Sequence, residues 1–66
     1  MNTTLLIRYD ADDHELQRER IADDHFETFN LLQTMLAADG TAKVRVEEID
    51  AHDVCQRCYL VTPVAV

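Results

Sequence analysis

His52, Cys55 and Cys58 follow one another at three-residue intervals and carry the strongest metal-ligating chemistry in this sequence. Two thiolates separated by two residues can reach one zinc ion, and a neighbouring imidazole can supply a third ligand. A structural site needs a fourth, for which His14, His25 and Asp53 are the candidates. Zinc modules usually show two such cysteine pairs, and only one is present here. The expectation is therefore no bound metal, with the cysteines as plain thiols or a local disulfide. A disulfide across so short a loop removes little unfolded-chain entropy. A thioredoxin-type role fits badly, because the pair precedes an apolar run instead of opening a helix after a strand.

The other chemistry-bearing residues are histidines and acids. His14, His25 and His52 each adjoin a carboxylate, a pairing that serves acid–base work. The sequence contains no serine and a single glycine, so neither a serine nucleophile nor a glycine-rich phosphate loop can be built. No third group orients any histidine at a recognisable spacing, and neither enzymatic turnover nor a cofactor is expected.

Thirteen acids stand against six bases, for a net charge of −7. Residues 10–27 alone hold eight acids and two arginines. Asp10-Ala11-Asp12-Asp13-His14-Glu15 offers oxygens to calcium, but the EF-hand spacing and its central glycine are missing. Charge runs ordinarily face water. On a rigid fold they can also imitate a duplex, which carries one negative charge per ~1.7 Å of axis. The candidate partner-binding residues are Asp10, Asp12, Asp13, Glu15, Asp23, Asp24, Glu27, Glu47, Glu48 and Asp50. Lys43 and Arg45 make one strand face less acidic, so the field would be one-sided. This balance points to a basic nucleic-acid-binding protein or complex as partner, and away from nucleic acid itself or an anionic membrane.

These residues must be positioned by a small set of elements. Thr3-Thr4-Leu5-Leu6-Ile7-Arg8-Tyr9 reads as a strand with Leu5, Ile7 and Tyr9 on one face. Residues 15–22 suit a strand returning on it slightly better than a helix, because Leu16, Ile21 and Ala22 form no helical stripe. Asp24 followed by Glu27 marks a helix start, and Phe26, Phe29, Leu32 and Leu36 recur at helical spacing. Gly40 stands where a C-cap glycine is expected, which predicts a helix over 25–38. Phe26 and Phe29 are expected in the core. Ala42, Val44 and Val46 alternate with polar residues as a third strand, and Ile49 breaks the phase, so a bulge or strand end lies near Glu47-Glu48. Residues 50–57 read as a loop and 59–66 as a last strand, with Pro63 at an edge or bulge. The fold class is α+β: one domain, 1–66, with a helix packed on a small antiparallel sheet of three or four strands in the order β(β)αββ. So thin a core invites dimerisation, and monomer and homodimer are both open.

No apolar run reaches the ~20 residues of a membrane span. The first residues lack the basic and apolar regions of a signal peptide, so a cytoplasmic protein is expected. In its short length, its acidity and its β(β)αββ order without enzyme or targeting motifs, the chain resembles the small anti-defence proteins of phages and plasmids, of anti-CRISPR or anti-restriction type. That resemblance implies a stoichiometric inhibitor in the bacterial host cell, a DNA mimic that blocks a basic site on an effector complex. The alternative is a small bacterial interaction or regulatory module whose Cys55 and Cys58 respond to zinc or redox state.

Overall fold

A computed structural model describes residues 2–22 and 24–63 of the chain. Strands β1 (Thr3–Tyr9) and β2 (Glu15–Ala22) form a hairpin; helix α1 (His25–Ala37) follows; β3 (Lys43–Ile49) and β4 (Cys55–Val61) form a second hairpin. The four strands make one antiparallel sheet in the order β2-β1-β3-β4. Residues 15–22 are thus a strand, and the β(β)αββ expectation holds with four strands. Asp23 and the expected C-terminal strand residues Val64, Ala65 and Val66 lie outside the described residues.

Burial follows the topology. β1 and β3 are central, so β1 is apolar on consecutive residues: Leu6 faces the helix, while Leu5 and Ile7 face the opposite side. The main core joins Leu6, Val44 and Val46 to Met35 of the helix, with Ile21, Leu31, Leu32, Leu36 and Val61 around it. Full burial of each such side chain contributes about 1.5–3 kcal/mol. A smaller cluster of Leu5, Ile7 and Ile49, with Tyr9 against it, lies on the face away from the helix. Ile49 reaches that face because it is three residues from Val46, as its break in phase predicts.

The helix begins where expected. The backbone N–H groups of Phe26 and Glu27 donate to Asp24 Oδ1 at 2.9 and 3.1 Å. Its other end differs. The C-cap is Ala38, and Gly40, with φ +82°, serves instead in the turn closed by Thr41 N–H on the Ala38 carbonyl. The helix end is pinned by Thr41 Oγ1, which donates to the Met35 carbonyl, and by Arg8, which donates to Thr41 Oγ1 and the Asp39 carbonyl. Met35 in the last turns of this helix packs onto Leu6 of β1 and Val44 and Val46 of β3.

Phe26 and Phe29 are consequently not core residues. They are 78% and 60% exposed. Phe26 lies nine positions before Met35, roughly half a turn around the helix from it at about 100° per residue. Leucines take the places on the sheet that the sequence assigned to phenylalanine.

The last strand also begins earlier than its composition suggests. Cys55 to Val61 pair with Ile49 back to Val44, so Cys55 and Cys58 are strand residues and not part of a loop. Pro63 falls after the strand. The register slips between Glu48 and Ile49, leaving Gln56 as the extra residue of a bulge.

Candidate functional site

Two acidic turns dominate the surface chemistry, and they are built alike. In the β1–β2 turn the Asp10 amide donates to the His14 carbonyl and the Asp13 amide to the Asp10 carbonyl. Asp10 Oδ1 accepts from the amides of Asp12 and His14, both at 2.9 Å. In the β3–β4 turn Asp50 makes the corresponding contacts with Val54, Asp53 and His52. Asp13 and Asp53 occupy the same left-handed position, with φ of 65° and 61°. Each is a hydrogen-bonded turn completed by a left-handed residue, a conformation that aspartate tolerates better than most side chains.

The likeness extends through both hairpins. Asp10-Ala11-Asp12-Asp13 and Asp50-Ala51-His52-Asp53 are offset by 40 positions, and Leu6 pairs with Val46 at the same offset. Exchanging the hairpins therefore maps the sheet onto itself about an axis through the Leu6–Val46 pair, with β2 and β4 as equivalent edges. The repeated Asp-Ala-x-Asp string was the signal in the sequence for this internal two-fold.

That symmetry sends the two turns to opposite ends of a body 35 Å long. Asp10, Asp12 and Asp13 stand at one end, beside Tyr9 and Glu15, which pair across the hairpin. Asp24 stands at the other, beyond the Thr3–Ala22 pair, with Asp50 at the turn beyond Ile49. The acids that look like one patch along residues 10–27 are thus divided by the length of β2, about 25 Å at 3.3 Å per residue. Asp53 joins the far end and Asp39 the near one.

The expected partner-binding acids have different duties. The carboxylates of Asp10, Asp50 and Asp24 hold backbone amides, and that hydrogen bonding keeps Asp10 and Asp50 below the ordinary aspartate value. For Asp10 the first cause is the His14 amide; for Asp50 it is the Val54 amide. Glu15 pairs with Arg18 at 2.7 Å, Glu47 with Arg45 at 3.0 Å, and Asp13 with Lys43. The Arg18 hydrogen bond lowers the Glu15 carboxyl below its usual range. Asp12 and Glu27 are exposed and have no side-chain partner among the described residues. Glu48 is half-buried on the helix side, opposite Thr4.

Four of the six bases, Arg18, Arg20, Lys43 and Arg45, share the sheet face away from the helix, over Leu5 and Ile7. Each lies within 4.0 Å of an acid, which neutralises that face and leaves net negative charge at the two ends.

His52, Cys55 and Cys58 do not gather as metal ligands. The ligand atoms that come together among the described residues are those of Asp10, Asp12 and His14. The Asp10 carboxylate there is already occupied by two amides and by His14 Nδ1 at 3.3 Å. Both cysteines are free and exposed. The bulge at Gln56 puts Cys55 opposite Ile49 and Cys58 opposite Glu47, so both thiols share the face away from the helix. There Arg45 Nε–H donates to Cys58 Sγ at 3.2 Å, a contact between residues 13 positions apart that no local pattern announces.

A groove of about 380 Å³ runs between α1 and β4, lined by Gln33, Leu36, Ala37, Val61, Thr62 and Pro63. No helix among the described residues is long and apolar enough to cross a membrane. The α+β class is defined by one helix on a sheet of two equivalent hairpins; comparison with protein families, characterised proteins and solved structures finds no match.

Proposed function

We propose that this chain is a stoichiometric inhibitor without catalytic turnover, which occupies the basic groove of a nucleic-acid-binding defence complex in the cytoplasm of a bacterial host. The observation that carries this reading is the pair of matched turns presenting carboxylates at the two ends of a 35 Å body. That length is close to one turn of duplex DNA, about 34–36 Å. Fixed turns lower the ordering cost of binding, and negative ends speed encounter with a basic groove. The test is capture of basic nucleic-acid-binding complexes from a bacterial lysate, with duplex DNA as competitor. Replacing Asp12, Asp13 and Asp53 by Asn and Glu27 by Gln removes charge from both ends while keeping the left-handed positions tolerant. Capture should be lost in this variant and should weaken steeply with salt. Undiminished capture would remove the acids from recognition.

A second reading has its own support. Cys55 and Cys58, brought to one face by the bulge, suit a small interaction module that responds to redox state or zinc. One zinc per chain after purification, or a disulfide that alters partner binding, would favour it.

A further inference from the structure

We propose that the free edge of β4, together with the Phe29 side of α1, joins two copies of this chain into a symmetric dimer. This inference is independent of the acidic recognition proposed above, because none of its contacts uses an acid.

The internal two-fold makes β2 and β4 equivalent edges, and the chain treats them differently. β2 carries Glu15, Gln17, Arg18, Glu19 and Arg20, long charged or polar side chains of the kind that discourage edge-to-edge pairing. At the matching places β4 carries Cys55, Arg57, Cys58, Tyr59 and Leu60. Residues 54–63 contain no acid and one base, Arg57, in a chain of net charge −7. Two copies repel one another over their acidic ends. Across this edge they meet without like-charged carboxylates. Arg57 lies over its own Tyr59 ring, 5.2 Å from the centroid.

Apolar surface accompanies the edge. Phe26, Phe29, Gln33 and Ala37 follow one stripe of the helix, and Gln33 and Ala37 line the groove against β4. Phe29, about 120° from Met35 on the same side as Leu36, therefore stands toward β4, while Phe26 points away from the sheet. Tyr59 and Leu60 are 36% and 59% exposed. At about 200 Å² per aromatic side chain, Phe29 and Tyr59 leave roughly 190 Å² uncovered on each copy. With Leu60 and the strand edge included, pairing two copies removes several hundred Å², the size of a weak, reversible contact. An antiparallel β4–β4 contact would extend the sheet to eight strands.

Sedimentation equilibrium of the whole chain, from low-micromolar to millimolar concentration, should show the mass rising from one chain to two. The double variant Tyr59→Glu, Leu60→Arg gives β4 the residues that β2 carries at Glu19 and Arg20. It should stay at the mass of one chain while keeping the far-ultraviolet circular dichroism of the parent. A parent of single-chain mass throughout, whether bare or reserved for another partner, overturns the proposal, as does a variant that still pairs. Should the variant fail to fold, hydrogen exchange on the parent decides. Amides of β4 should gain protection with concentration and those of β2 should not; any other pattern overturns the dimer.

Discussion

Replacing Met35 and Phe26 separately by alanine tests which side of the helix meets the sheet. Met35 is 1% exposed beneath the helix, against Leu6, Val44 and Val46. Truncation of such a residue costs about 2–5 kcal/mol, partly for lost transfer energy and partly for the cavity left behind. A chain of this size has about 3–10 kcal/mol in total, so Met35→Ala should leave the domain marginal or unfolded. Phe26 is 78% exposed, so roughly 45 Å² of a side chain of about 200 Å² is covered. At ~25 cal/mol per Å² that coverage is worth about 1 kcal/mol. Alanine returns about half of this as the better helix former, leaving a net loss of about 0.5 kcal/mol. Urea unfolding, followed by circular dichroism at low-micromolar concentration to avoid self-association, measures both. The Met35→Ala midpoint should fall far, and that of Phe26→Ala should barely move. Equal losses would mean that the helix is rotated by roughly half a turn and that the aromatic stripe is core after all.

Three further outcomes follow from the turns and the cap. Asp24→Ala removes the acceptor for the Phe26 and Glu27 amides and should cost about 1 kcal/mol in urea unfolding, whereas Asp24→Asn should cost little. Asp10 and Asp50 are held below the ordinary 3.8 in the folded chain, so their contribution is present above that value and is lost as pH falls through it toward the lowered folded pKa. Thermal melts between pH 6 and about pH 3 should show this acid loss, and an Asp10→Asn, Asp50→Asn variant should show a flatter profile; an unchanged slope would refute the assignment. Gly40→Ala places a side chain at φ +82° with open space around it, so only backbone strain opposes it; a loss of about 1–2 kcal/mol is expected from chemical denaturation.

The sequence alone determined the features that rest on neighbours a few residues apart. The Asp24 cap, the helix after it and the alternation of β3 are local, and each is where its residues place it. The consecutive apolar residues of β1 likewise announce a strand, although only its central place explains why Leu6 lies under the helix and Leu5 and Ile7 on the other face. Tertiary structure decided the rest. Two apolar stripes of α1 were both at helical spacing, and packing chose the one with Leu31, Leu32, Met35 and Leu36 over the one with Phe26 and Phe29. β4 starts at Cys55 because Ile49 and Glu48 offer it a partner, while its own Cys-Gln-Arg-Cys composition favours no strand. The candidate acids were legible as residues but not as a site. A strand lying between Asp10 and Asp24 turns neighbours in sequence into opposite ends of the molecule, and an equivalent hairpin brings Asp50 and Asp53 to complete the far end.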